Sequence, residues 1–328
     1  QADDERRARW HSGLGMALYF LGELALSRQH LEITVGLLDR PLPVGLGATR
    51  RRLLSELTRQ ALHRWRPARF AGRLGHRQEQ IEQLAECCSR LGQIYYLDGE
   101  PAERLLAVTL AGLNLAEQGA PSAALARVLA GSAILASLAG MAGMASAYAE
   151  RAQAVAETDA GREAAPQVWH YQAILQAQRG RWDRAGQAND RALALIRERG
   201  DPTLEAEACV VRATLLLCQD DFAGAEAAWS RALRLARRVG NSQIECWSLL
   251  DQSETLFGRL DLDGAEHALT LALQIPTQPH DGYSSIEKQR MLARLRHARG
   301  RLDEALDACE VVYAMVHAQP PAGYHWAD

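Results

Sequence analysis

The chain has 328 residues, of which 48% are hydrophobic and 23% are charged, and its formal net charge is −3. This composition is typical of a folded, soluble protein and excludes a disordered chain. The near balance of charge excludes a general attraction to nucleic acid or to an anionic membrane.

Basic side chains are almost all arginine, and the one lysine, Lys288, follows a glutamate. A P-loop needs Gly-Lys-Ser/Thr, so this type of nucleotide site is excluded. The six cysteines form no Cys-x-x-Cys pair, and four lie on apolar stripes of predicted helices. We expect buried free thiols and a cytoplasmic location. Because the first residue is Gln1 and no signal peptide is evident, we expect an excised piece of a longer polypeptide.

The predicted elements are helices throughout, because Ala, Leu and Arg are abundant and Pro is scarce. Residues 1–39 are predicted to form a first helix pair. Residues 40–76 are predicted to be an insertion or a degenerate repeat, with one helix near 49–65 between two Pro-containing stretches. Residues 77–318 are predicted to form six further pairs. Residues 319–328 are a tail without a polar capping helix, so we expect either further repeats or a partner at this end.

Small residues recur every 40 positions, which is the strongest signal in the sequence. Turn-prone residues follow the same spacing at Gly140, Gly180, Asp220 and Gly300. Small side chains at matched positions allow two helix backbones to approach closely, so the spacing predicts a stack of helix pairs. The three series are Ala145, Ala185, Ala225, Ala265 and Ala305; Ala133, Ala173, Ala213, Ser253 and Ala293; and Ala152, Ala192, Ala232 and Ala272, which Val312 would continue.

One stretch is long enough to be mistaken for a membrane span. Residues 128–149 form a run of 22 residues without a charge. The run is mostly Ala, Gly, Ser and Met, and its Gly140 is in phase with the repeat turns. We therefore predict two tightly packed helices of a soluble protein rather than one membrane helix.

Several segments share a finer pattern. Leu91-Gly92 is followed by Tyr95-Tyr96 and Gly99, and Leu14-Gly15 is followed by Tyr19 and Gly22. Trp169 with the Gly180, Trp182 and Ala185 turn matches in a third unit. This pattern resembles tetratricopeptide (TPR) repeats, although the period near 40 exceeds the 34 residues of that family. The resemblance implies an all-α fold, a right-handed α-solenoid of about seven TPR-like helix pairs.

A narrower resemblance covers about residues 10–119. It is carried by the run from His30 to Pro43, by residues 59–64, and by Pro67 and Phe70. This region resembles the C-terminal helical array of bacterial proteins that combine a class III adenylate/guanylate cyclase domain with a STAND-type ATPase. The array is also similar to the sensor domain of the maltose-regulon activator. Neither the cyclase nor the ATPase segment lies within this chain, so none of their catalytic residues is transferred.

No catalytic constellation is evident in the sequence. His-Glu-x-x-His, Gly-x-Ser-x-Gly and zinc-type Cys/His spacings are all absent. We therefore expect no catalytic residues, no cofactor and no metal in this chain, although catalytic groups far apart in sequence would escape such a search.

The functional expectation rests on the surface that a TPR-like resemblance implies. The first helices of successive pairs would line a concave groove that holds an extended peptide or a helix. Arg290, Arg294 and His297 share one helix face, which either clamps a partner's carboxylate or phosphate or is a solvated face with ion pairs to Glu287 and to acids of a neighbouring unit. Tyr96 and Trp247 either anchor a partner or pack between repeats. The candidate groove residues are Gln93, Tyr96, His170, Trp247, Arg290, Arg294 and His297.

These observations favour a non-enzymatic interaction or sensor module, a regulatory part of a larger signalling ATPase or nucleotide cyclase. The expected partner is a protein or peptide segment in the groove, including other domains of the parent chain, or a small effector. We expect no nucleic acid and no membrane. The alternatives are the effector-sensing array of a STAND-type transcriptional activator and a scaffold that self-associates.

Overall fold

The computed structural model describes residues 2–38, 42–74, 77–276 and 282–318. Within these ranges every regular element is a helix. The predicted tail, residues 319–328, lies outside the described residues. In chain order the helices are α1 (Ala2–Phe20), α2 (Leu24–Leu37), α3 (Leu46–Trp65), α4 (Pro67–Phe70), α5 (Gln78–Leu97), α6 (Ala102–Ala116), α7 (Ala123–Leu138), α8 (Ala142–Ala156), a 3₁₀ turn (Arg162–Ala164), α9 (Ala165–Gln178), α10 (Trp182–Arg199), α11 (Pro202–Leu217), α12 (Phe222–Val239), α13 (Ser242–Gly258), α14 (Leu262–Gln274), α15 (Gly282–Ala298) and α16 (Leu302–Ala318).

The helices stack as pairs. In each pair a short turn connects two helices that pack along each other, from α1 with α2 to α15 with α16. The first helices of successive pairs also pack on one another, from α5 through α7, α9, α11 and α13 to α15. Each pair therefore buries its apolar face against its neighbours, and the prediction of an all-α solenoid is confirmed.

The small-residue series form the contact lines within and between pairs. All their members from Ala133 to Ala305 are buried, and Ala185, Ala225 and Ala265 are fully buried. Second helices begin at the bulky residues Trp182 and Phe222. A Cβ placed on Gly258 of α13 would be 2.5 Å from the Phe222 ring, so glycine is needed for this close approach.

The turns between helices also follow the 40-residue spacing. Gly140, Gly180, Asp220 and Gly300 all have positive φ values, as expected for residues that end a helix. The structure adds a fifth turn that the sequence analysis missed, at Leu260, whose φ is 63°. A leucine gives no sequence signal for this conformation because its Cβ disfavours it.

We expect Leu260→Gly to raise the free energy of unfolding by about 1 kcal/mol, because glycine removes the left-handed strain. The Leu260 side chain is 83% exposed, so little packing is lost. Urea denaturation measures the change. The reciprocal control is Gly180→Leu, which should lose a similar amount, since a Cβ there meets no atom within 4 Å and only φ is strained. An unchanged or lower stability for Leu260→Gly would contradict this interpretation.

The uncharged stretch from 128 to 149 is divided between α7 and α8. Gly140 lies in the connection with a φ of 73°, as predicted. No described helix combines the length and apolar character needed to cross a membrane.

The predicted insertion contributes α3 and the single turn α4. Helix α3 packs on α6, the second helix of its pair, and thus does not fill the interior of the solenoid. The contact is polar: Asn114 donates to Glu56 at 2.8 Å, and His63 Nδ1 lies 2.8 Å from Glu117 Oε2.

The cysteines and the lysine are structural. Four thiols are buried, as predicted, while Cys218 and Cys309 are exposed. Lys288 is buried and donates to the carbonyl of Ile275 at 2.9 Å, just beyond the end of α14.

Candidate functional site in the solenoid interior

The solenoid closes on itself at two places. At the first, Asn241 Nδ2 donates to the carbonyl of Phe20 at 3.0 Å, across 221 positions of sequence. The same side chain caps α13 by accepting from Ile244 N at 2.9 Å. A Cβ on Gly22 would lie 3.0 Å from Asn241 Oδ1, so the turn after α1 approaches the α12–α13 connection closely.

The second closure joins α15 to the end of α5. A Cβ on Gly282 would lie 3.6 Å from the carbonyl oxygen of Leu97. Tyr283 lies near Tyr96 and packs edge-on against Trp247, with ring centroids 5.9 Å apart. The first pairs of the array thus contact the last ones.

A partly enclosed cavity of about 570 Å³ lies beside the first closure, where Phe20 forms part of its wall. Most of its lining comes from α1, α5, α7, α9 and α11, which are first helices of successive pairs, and α10 contributes Ile196 and Arg199. Its charged lining comprises five acids and three arginines, so the cavity is net negative. These side chains are Glu82, Glu86, Glu163, Asp201, Glu207, Arg90, Arg127 and Arg199.

Arg127 and Arg90 differ in how their charges are compensated. Arg127 forms ion pairs with Glu86 at 3.0 Å and with Glu163 at 2.8 Å. Arg90 is buried, donates to Gln93 at 3.0 Å and lies 4.6 Å over the Tyr19 ring, but it forms no ion pair with any carboxylate in the described ranges. A buried guanidinium without a direct counter-ion is available to an anionic group of a ligand.

Glu207 also lines the cavity, and His170 is its buried neighbour. His170 Nε2 lies 4.0 Å from Glu207 Oε2, and the buried His170 Nδ1 has no protein partner among the residues described. Burial lowers the pKa of His170 to about 4. Burial also raises the pKa of Glu207 to about 7, despite the nearby Arg90. Near neutral pH, His170 is therefore uncharged and Glu207 titrates.

These two shifts predict opposite pH effects on stability. The folded state resists protonation of His170, so stability falls as the pH drops from 6.5 towards 4. The folded state holds the proton of Glu207, so stability falls as the pH rises from 4.5 through 7. We expect the free energy of unfolding of Glu207→Gln to increase by roughly 1–3 kcal/mol relative to that of the parent as the pH rises from 5 to 8. His170→Leu should lose less stability than the parent between pH 7 and pH 5. Urea titrations at each pH measure both, and parallel pH profiles for all three proteins would contradict the assignment.

The predicted groove residues fall into three groups. Gln93 and His170 lie beside the cavity, where Gln93 accepts from Arg90. Tyr96 is half-buried at the second closure, and Trp247 donates to Ser284 Oγ at 3.1 Å, between α13 and α15.

The basic face on α15 is largely neutralised. Arg290 donates to Glu287 at 2.8 Å and to Glu254 at 3.3 Å, and Arg294 also donates to Glu254. Arg294 lies 4.6 Å over the Phe257 ring, and His297 is exposed. This arrangement matches the solvated, ion-paired face that was one of the two expectations. Because both arginines are already paired with glutamates, the binding of a partner's carboxylate or phosphate at this face stays a prediction.

Sequence reasoning missed Arg90, Arg127 and Asn241. Arg90 follows Glu86 by one helical turn on α5, so a basic residue on the predicted concave face was a readable signal. Asn241 gave no signal of closure, because its N-cap role explains its residue type on its own.

Comparisons with known proteins give limited information. No family model and no curated protein matches the sequence. Among solved structures, BtubC (BKLC) from P. vanneervenii is similar with a TM-score of 0.48 and 19% identity, covering 76% of this chain and 94% of that one. PilF of Pseudomonas aeruginosa is similar with a TM-score of 0.46 and 16% identity, covering 74% and 94%. The solenoid is evident from the helix pairs of the chain itself.

Proposed function

We propose that this chain is a non-catalytic repeat module that binds a protein segment or a small effector in its interior. The observation that carries the proposal is the 570 Å³ cavity, in which Arg90 and Glu207 are both available to a ligand. Clefts and cavities of this size with a few convergent polar groups are typical of ligand sites.

The closures suggest how occupancy would change the shape of the module. The contact of Phe20 with Asn241 joins pairs that are far apart in sequence, so a small change in superhelical pitch would open or tighten it. A ligand that contacts α1, α5 and α11 together would favour the closed state. Such a ligand shifts the population by its difference in affinity between the closed and open forms.

The resemblance of residues 10–119 to cyclase–STAND ATPase arrays supports a place in a larger signalling protein. In that setting the array would transmit its state to an ATPase or cyclase domain. An effector-sensing array of a STAND-type transcriptional activator is the alternative in which a DNA-binding output replaces the cyclase. The domains that flank this chain in its parent gene distinguish the two, because a cyclase domain and a helix-turn-helix have different motifs.

Self-association is a second candidate function, favoured by a separate observation. The outer face of α16 exposes the large apolar side chains of Leu302, Leu306 and Tyr313. Apolar patches of this kind mark interaction surfaces on proteins that are otherwise well packed.

The interior site is tested with a thermal-shift screen of peptides, nucleotides and metabolites. A ligand at a hundredfold excess over its Kd stabilises the fold by about 2.7 kcal/mol. Gln83 lines the cavity and is half-buried, so Gln83→Trp should fill part of the space and weaken binding of a hit at least tenfold. The matched control is Gln187→Trp on the exposed face of α10, which should bind normally. Hits that bind Gln83→Trp as tightly as the parent would place the site elsewhere.

A further inference from the structure

Helix α3 has its polar and apolar faces reversed relative to the rest of the array. The side chains it turns towards α6 include Glu56, Gln60 and His63, which are all buried. Its outward face carries Leu54, Leu57 and Trp65, which are 65%, 47% and 69% exposed. These positions, with Ala61 between them, follow helical spacing and form one continuous stripe.

Helix α3 is also rich in arginine. Residues 46–65 contain five arginines and a single acidic residue, Glu56. Glu56 is buried and paired with Arg52 at 2.9 Å and Arg59 at 3.2 Å, and Arg50 pairs with Glu103 at 3.0 Å, so the remaining positive charge is that of Arg51 and Arg64. Arg51 and Arg64 are exposed beside the apolar stripe. The outward surface of α3 is therefore both apolar and positive.

Helix α16, the last of the helices described, carries the opposite charge. Leu302, Leu306 and Tyr313 are 62%, 60% and 65% exposed and lie on one face. Residues 302–318 contain four acids and no arginine or lysine. Asp307 and Glu310 are exposed next to the apolar stripe. The outward surface of α16 is both apolar and negative.

The two faces do not cover each other within one molecule. Helix α3 packs on α6 and α16 packs on α15, and both outward stripes remain exposed. Leaving two apolar stripes in water is costly, and burying them against each other would also bring opposite charges together.

We propose that the acidic apolar face of α16 in one copy of this chain docks on the basic apolar face of α3 in a second copy. The two surfaces differ, so the contact is heterologous and generates head-to-tail chains or rings rather than a closed two-fold dimer. The proposal rests on the self-association function above and is independent of the interior site.

The first test uses sedimentation velocity over a range of concentrations. The parent chain should form species larger than a dimer as its concentration rises. An α3 variant with Leu54→Ser and Trp65→Ser, and an α16 variant with Leu306→Ser and Tyr313→Ser, should each remain monomeric. A mixture of the two variants retains one intact face of each kind and should stop at a 1:1 dimer. Met141→Ser, at another exposed apolar side chain, is the control and should associate like the parent.

The charges are tested separately. Arg51→Glu with Arg64→Glu should weaken association at least tenfold at low salt, and adding Asp307→Arg with Glu310→Arg in the same chain should restore most of it. Far-UV circular dichroism and urea denaturation verify that each variant is folded.

Several results would overturn the proposal. A parent chain that is monomeric at all concentrations removes self-association altogether. Association that persists in the α3 variant, or a variant mixture that stays monomeric, shows that other surfaces are used. Flotation of a monomeric chain with phosphatidylserine vesicles, lost in the α3 variant, would assign the basic face to a lipid surface instead. None of these outcomes changes the result expected for Gln83→Trp, so the two functions fail independently.

Discussion

Replacing Arg28 with leucine is expected to lower the free energy of unfolding by about 3–5 kcal/mol. Arg28 lies on α2 and donates to Asp98 and Glu100, both at 2.6 Å, and to Glu32 at 3.0 Å. Its guanidinium also lies 4.9 Å over the Tyr95 ring. The side chain of Asp98 is only 1% exposed, so replacing Arg28 takes a cation away from a buried carboxylate.

Equilibrium urea denaturation measures this loss. The matched control is Arg6→Leu, whose pair with Asp3 at 2.8 Å is 70% and 66% exposed and should contribute about 0.5 kcal/mol or less. Adding Asp98→Asn to Arg28→Leu should recover part of the loss, because the buried charge is then absent. A loss below about 1 kcal/mol for Arg28→Leu would show that this network does not hold the first pair onto the second.

The second large effect is expected from enlarging a small residue of the 40-residue series. Ala225 begins the core-facing stripe of α12 and is fully buried against α11. Ala225→Leu adds three carbons where the two backbones are closest, so we expect a loss of about 3 kcal/mol through overpacking.

A control is available in the same helix. Ala227 is exposed, so Ala227→Leu should change the free energy of unfolding by less than about 0.5 kcal/mol. Thermal and urea unfolding of both variants give the comparison. Equal stabilities for the two variants would mean that the recurrent alanines do not set the helix spacing, and the physical basis of the repeat would have to be sought elsewhere.

The repeat architecture could be predicted from the sequence because its determinants are local and periodic. A buried alanine such as Ala185 and a left-handed turn such as Gly180 recur at each unit, so each supports the others. The division of the uncharged stretch into α7 and α8 could be predicted because Gly140 follows the same 40-residue spacing. The concave face was also predictable in part, since the predicted groove residue Gln93 accepts from Arg90, which lines the cavity.

The closure of the solenoid could not be predicted, because it depends on pitch. Small rotations between successive helix pairs add up along the array and decide whether Phe20 contacts Asn241. The spacing of residues in the sequence gives no information on this total rotation. The polar contact of α3 was also hidden, since Glu56 and His63 resemble a solvated face in the sequence. Their partners on α6, Asn114 and Glu117, lie more than 50 positions away and become visible only in the fold.

The central claim, that the array closes around an interior site, is tested most directly by a distance measurement across the closure. Spin labels at Leu21→Cys and Ser242→Cys, in a chain with the exposed thiols replaced by Cys218→Ser and Cys309→Ser, report the separation of the α1–α2 turn from the start of α13. Pulsed electron paramagnetic resonance should give a single short, narrow distance, because Phe20 and Asn241 are hydrogen-bonded at 3.0 Å. A broad distribution centred at long distance would show an open superhelix and would contradict both the closure and the enclosed site.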